Sequence, residues 1–190
     1  MKPKNFDPEK TLDVIADTFA RNGYEGTSLD VITKKTGLGK QSLYNAYGDK
    51  KALVMKTIQC FGRKSAAAKA LHDPTLSGRE KIESFFEAIL AEAADHKNPG
   101  CLITNLLLEK GASDMDVWKA ASARWNETRA ALRFAIAAGV KDKSIHARLD
   151  PEILSYALMN LLNGLRVTVR ASNDLEKIKK VVRVSLQSLL

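Results

Sequence analysis

Lys40, Gln41, Ser42, Tyr44 and Asn45 follow directly on Gly37-Leu38-Gly39. These are side chains that read or hold nucleic acid. Asn and Gln amides pair bidentately with adenine, Lys reaches guanine O6 and N7, and Ser is permissive. Tyr, Ser and Thr hydroxyls, lysines and helix N-termini hold phosphates. On that chemistry Lys40, Gln41, Ser42 and Asn45 are candidate base readers. Thr27, Ser28, Tyr44 and Lys50 (or Lys51) are candidate phosphate holders. The same residues also suit the solvated face of an ordinary amphipathic helix, and periodicity alone leaves both readings open.

The elements that must position them are helical. Asp7 can cap a first helix that Pro8 opens. Leu12, Ile15 and Phe19 recur at helical spacing, and Asn22-Gly23 ends the run. Thr27 or Ser28 caps a short second helix, with Asp30 in its first turn and Leu29 and Ile32 facing inward. It ends at Gly37. A third short helix covers about Lys40 to Tyr47. Two short helices joined by a glycine-containing turn make a helix-turn-helix, whose second helix offers its N-terminal residues to the major groove. Glycine at the turn admits positive φ. Leu38 would anchor the turn, and Leu43 and Tyr47 would hold the second helix against Phe19 and Ile32. Gly48-Asp49 breaks the third helix, and Asp49 caps a longer one through Val54, Ile58 and Phe61.

Beyond Lys64 the helical patterns lengthen and become alanine-rich. Breakers at His72-Asp73-Pro74, Asn98-Pro99-Gly100, Gly111, Gly139 and Asp150-Pro151 delimit segments near 77–96, 100–110, 114–138, 150–171 and 174–190. No segment alternates with period two, so strands are not expected. The fold class is all-α: an N-terminal three-helix helix-turn-helix DNA-binding domain over 1–48, and a larger C-terminal helical ligand-binding and dimerisation domain over 49–190. The helix beginning near 49 connects them.

Charge fits an anionic partner. The formal net charge is +8, and the first 64 residues hold 12 Lys and Arg against 7 Asp and Glu. Basic excess is therefore denser where the candidate readers lie. Other chemistries lack their marks. His72, His96 and His146 fall far apart with no paired-ligand spacing, so no metal site is expected. No phosphate loop, dinucleotide fingerprint or serine elbow occurs, and neither a catalytic residue nor a cofactor is expected. The N-terminus is too polar for a signal peptide and no apolar run is long enough for a membrane span, so a cytoplasmic protein is expected. Two cysteines, Cys60 and Cys101, make no disulfide framework. A helical protein-interaction module without DNA binding is the reading of another class, but it needs neither the N-terminal charge bias nor the Tyr44–Lys50 arrangement.

Residues 10–55 resemble the TetR family of transcriptional regulators. The matching parts are Phe19…Gly23-Tyr24, Thr27-Ser28, Ile32, Gly37-Leu38, Leu43-Tyr44-x-x-Tyr47 and Lys50-x-x-Leu53. The resemblance implies a homodimer that binds a double-stranded DNA operator, usually a repressor released by a small-molecule effector. It also implies phosphate contacts at Tyr44 and Lys50, and backbone contacts at Thr27 or Ser28. Ala46 departs from a position that is often polar in the family, so one customary contact is missing. Tyr47 stands where Phe is common and brings a hydroxyl that needs a partner.

In the larger domain the last two helices (150–171 and 174–190) are expected to make the dimer interface. Ile153, Leu154, Ala157, Leu158, Leu161, Leu162, Leu165 and Val169 form two apolar seams, joined by Leu175, Ile178, Val182, Leu186 and Leu189. Burial of both seams within one subunit is the alternative. Candidate effector-pocket walls are Phe85, Phe86, Ile89, Leu102, Trp118, Trp125, Phe134 and Met159, with Asn105, Asn160 and Asn163 as polar anchors. Each aromatic also suits ordinary core. Cys101, at an expected helix N-terminus, is a candidate electrophile or redox sensor as well as a small packing residue. Cys60 is expected to pack.

Overall fold

The computed structural model describes residues 6–94, 100–146, 150–172 and 174–190. The described residues form ten helices and no strand: α1 Pro8–Asn22, α2 Leu29–Thr36, α3 Lys40–Tyr47, α4 Lys50–Cys60, α5 Ala66–His72, α6 Gly78–Ala94, α7 Leu102–Lys110, α8 Met115–Asp142, α9 Pro151–Ala171 and α10 Leu175–Leu189. Their contacts divide the chain into two units. One comprises Met1–Phe61 with Pro99–Arg124, the other Gly62–Asn98 with Trp125–Leu190. This grouping is drawn differently from the expected 1–48 and 49–190 division. It places α4, α7 and the first turns of α8 with the N-terminal helices.

The first unit is punctuated by local chemistry. The Asp7 carboxylate accepts from the Glu9 and Lys10 amides at 3.0 and 3.3 Å, satisfying donors that a helix start leaves open. Of the two candidates for the second cap, Ser28 does the work, accepting from Val31 N at 3.3 Å. Asp49 accepts from Ala52 N at 2.7 Å and starts α4. In the turn after α2 only Gly37 takes a left-handed conformation, with φ +71°. Gly39 is extended at φ −66°. Ile15, Phe19, Ile32, Leu43, Tyr47, Leu53 and Val54 are buried, and α1 packs on α2, α4 and α7. Leu38 is half-buried.

The second unit surrounds a core of Phe85, Phe86, Ile89, Leu132, Ile136, Leu158, Leu162, Ile178, Val182 and Leu186, among others. Helix α4 ends at Cys60 with Phe61 as its C-cap, within a residue of expectation. Two features differ from expectation. A separate short helix, α5, begins after Ser65, whose hydroxyl accepts from Ala68 N at 3.1 Å. Gly139 does not end a helix, because α8 runs on to Asp142. The glycine serves packing instead. A Cβ on Gly139 would lie 2.5 Å from Ile145 Cδ1, and one on Gly78 would lie 2.1 Å from Gly139 N. Helices α6 and α8 therefore meet backbone to backbone, which only glycine permits. Asp142 ties the same crossing by accepting from Gly78 N at 2.8 Å.

The two expected seams of α9 are also resolved. Leu154, Leu158, Leu162 and Leu165 are buried, whereas Ala157, Leu161 and Val169 are half-buried against the same core. The outward apolar residues are Ile153, Tyr156 and Val167, with Val181 and Val184 on α10. Tyr156 and Val167 lie outside the expected seams.

Candidate nucleic-acid interface

Helix α3 is held by its inner face and open on its outer one. Leu43 and Tyr47, four residues apart, are buried, while Lys40, Gln41, Ser42, Tyr44 and Asn45 are all exposed. The Tyr47 hydroxyl finds its partner in the Pro8 carbonyl at 3.3 Å. No side chain caps the N-terminus of α3. Its first amides therefore face outward unsatisfied by protein side chains, in the geometry that favours a phosphate.

The exposed side chains are partly organised among themselves. Gln41 Nε2 donates to Asn45 Oδ1 at 2.9 Å. That bond leaves the Gln41 carbonyl oxygen as an acceptor and the Asn45 amino group as a donor for an incoming duplex. Lys40 Nζ lies 2.7 Å from Asp30 Oδ1, so the charge of this candidate reader is already matched across the turn. Tyr44 is 60% exposed and its hydroxyl stands clear of the core. Ser28 is exposed as well as capping α2.

Thr27 is a correction. It is fully buried, and its hydroxyl donates to the Gly23 carbonyl at 2.7 Å. The side chain closes the turn after α1 and is inaccessible to a phosphate. Lys50 and Lys51 also separate. Lys50 Nζ sits 4.3 Å from the Tyr24 ring centre, a cation–π contact at a half-buried site. Lys51 Nζ is gripped by Asp114 at 2.9 Å and Asp116 at 2.8 Å. Those carboxylates push the Lys51 pKa up, and Lys51 holds Asp114 below the usual carboxylate range.

Sequence reasoning missed the support behind this face, because it comes from α7, remote in the chain. Glu109 accepts from Glu25 N at 3.0 Å, and Lys110 pairs with Glu25 at 2.8 Å, which lowers the Glu25 pKa. A Cβ on Gly23 would lie 2.1 Å from Glu109 Oε1, so that glycine also makes room for the carboxylate. Asn105, a candidate effector anchor, donates instead to the Ala20 carbonyl at 2.9 Å. It satisfies one of the acceptors that the end of α1 leaves open.

The other effector candidates are divided between the two units. Cys101, Leu102, Asn105 and Trp118 belong to the first unit, and Phe86, Trp125, Met159 and Asn163 to the second. Leu102, Phe86 and Met159 are core residues. Trp118 and Phe134 are 43% and 66% exposed, and Asn160 is exposed, so none of these three walls a closed pocket within the chain. Trp125 stacks at a tilt on Tyr156, with centroids 5.9 Å apart. Cys101 occupies the N-cap position of α7 and is half-buried; Asn98 and Pro99 before it lie outside the described residues, as does His96. Cys60 is exposed and does not pack.

Comparison with known proteins agrees with this geometry. A family model described as bacterial regulatory proteins, tetR family, matches residues 12–56. A second, described as tetracyclin repressor-like, C-terminal domain, matches residues 78–185. The chain is 28% identical over 195 residues to the uncharacterized HTH-type transcriptional regulator YezE of Bacillus subtilis, covering 98% of this chain and 97% of that one. It is 24% identical to the HTH-type transcriptional repressor ComR of Escherichia coli, covering 98% and 90%. Among solved structures it is similar to a cysteine mutant of the TetR family regulator CifR in complex with 26-bp operator DNA. The TM-score is 0.83 with 28% identity, over 98% of both chains. These relatives are regulators rather than enzymes, and no described helix is long and apolar enough to cross a membrane. With an exposed reading face on a helix-turn-helix anchored by buried Leu43 and Tyr47, and with the two family models matching successive parts of the chain, this protein belongs to the TetR family of DNA-binding transcriptional regulators.

Proposed function

We propose that the protein is a homodimeric repressor that binds a pseudo-palindromic operator and is released by a small molecule held in its larger domain. The observation that carries the DNA half is the split of α3 into a buried pair, Leu43 and Tyr47, and an exposed, uncapped first turn. Gln41 and Asn45 read bases; Tyr44, Ser28 and the free α3 amides hold phosphates. Lys40 and Lys50 enter by exchanging Asp30 and the Tyr24 ring for phosphate oxygens. Two reading helices must meet successive major grooves about 34–36 Å apart, which requires a second copy of the chain. The exposed Ile153, Tyr156, Val167, Val181 and Val184 on the last two helices supply an apolar face for that copy. Release follows when an effector binds a conformation of different reader spacing better, and by no more than that difference in affinity.

The test is a titration of operator-length duplexes against salt. A site selected from random DNA should be palindromic, and log affinity should fall with log salt at a slope near −0.9 per phosphate neutralised. Equal binding to the selected site and to a version with one half scrambled overturns the reading.

A further inference from the structure

The second unit contains a cleft of about 670 Å³ between α6 and α10, within the range of small-molecule sites. The helices run antiparallel along it. Arg79 N, at the start of α6, donates to Ser144 Oγ at 3.1 Å, and the Leu190 carbonyl, at the end of α10, accepts from the neighbouring His146 N at 3.4 Å. Phe86, Leu90, Val182 and Leu186 form an apolar floor.

The two walls carry opposite charge, but unequally along their length. On α6, Glu83 and Glu87 line the cleft, and Arg79 occupies Glu83 at 2.8 Å. Beyond Glu87, the described residues that α6 gives to the lining are Leu90, Ala91 and Ala94. On α10, Lys179 and Arg183 lie one turn apart. Lys179 pairs with Glu176 at 2.7 Å on its own helix, outside the cleft lining. In this antiparallel pairing Lys179 stands level with Ala91 and Ala94, whose small side chains leave room beside it, and Arg183 follows one turn on, towards Glu87. The cleft lies on the opposite flank of α10 from Val181 and Val184, so a second copy seated on those valines leaves it open.

We propose that this cleft binds an apolar monocarboxylate, with the carboxylate at Lys179 and Arg183 and the hydrocarbon body beside Ala91 and Ala94 on the Phe86–Leu90–Val182–Leu186 floor. A neutral amphiphile lacks the partner for the cations, and an amine is repelled by them. The proposal supplies a ligand class for the effector step above, but its test is read on protein without DNA, so its failure and that of the operator reading are separable.

Calorimetric titration with decanoate, decanol and decylamine distinguishes the cases. Decanoate should bind saturably at one site per chain. Lys179→Gln with Arg183→Gln should weaken it by roughly tenfold or more, the loss expected for hydrogen bonds to a charged group. Both positions lie on the cleft rim outside the buried core, so the double variant should keep the parent's melting temperature. Ala91→Trp, which fills the open end, should abolish binding; if it does not fold, Ala91→Met should weaken it in a chain that does. Decanol binding as tightly as decanoate, undiminished binding by the double variant, or no saturable decanoate binding overturns the proposal.

Discussion

At the scale of single residues, the reading turn is defined by which side chains are already engaged. Gln41 and Asn45 bond to each other, and Lys40 is matched by Asp30. The amide pair meets the duplex as one donor–acceptor unit rather than as two independent readers. Removing either member releases the other from its fixed orientation. Gln41→Ala and Asn45→Ala should therefore each change the preferred operator base pair, and the double variant should cost less than their sum by about 0.5–3 kcal/mol in binding free energy. A double-mutant cycle on the selected operator measures this, and strict additivity contradicts the coupled pair. The residue types were legible in the sequence, as were the inward roles of Leu43 and Tyr47. Thr27 was not, because a threonine before a helix can cap, hold phosphate or turn inward, and only the Gly23 carbonyl above it decides.

At the scale of elements, helix ends followed local rules and helix interiors did not. Asp7, Ser28 and Asp49 cap because a short side-chain acceptor reaches amides two or three residues on, an interaction complete within one turn of chain. The two glycines flanking Leu38 look equivalent in sequence, yet the backbone asks different things of them. Gly37 has positive φ and open space around it, so Gly37→Ala pays only backbone strain, about 1–2 kcal/mol. Gly39 is extended, in open space and at the N-cap position of α3. Gly39→Ser should stabilise by a few tenths of a kcal/mol through the missing cap. Thermal melts of the two variants should move in opposite directions, down for Gly37→Ala and up for Gly39→Ser. Gly139 shows the limit of such reading: its significance lies in Ile145, just past the helix end, and in Gly78, at the far start of α6.

At the scale of the whole molecule, the proposed assembly depends on apolar side chains that one chain leaves uncovered. Val181→Glu with Val184→Glu places two charges on that face without touching the buried Ile178, Val182 and Leu186. The variant should keep its helical circular dichroism, sediment as a monomer and bind a two-half-site operator about 10²–10⁴ more weakly, the avidity that linked sites supply. A dimer that persists in this variant places the interface elsewhere.

By itself the sequence determined that the chain is helical, where most helices begin and end, and which short helix carries exposed amides and hydroxyls. Those properties follow from periodicity, caps and glycine, all of which act within a few residues. Tertiary structure alone decided that Asn105 closes the end of α1, that Lys51 is gripped by Asp114 and Asp116, and that α6 and α10 leave a cleft lined by Lys179 and Arg183. The physical reason is range: each of these depends on which distant helix the chain returns to its side, and no spacing along one segment encodes the identity of that neighbour.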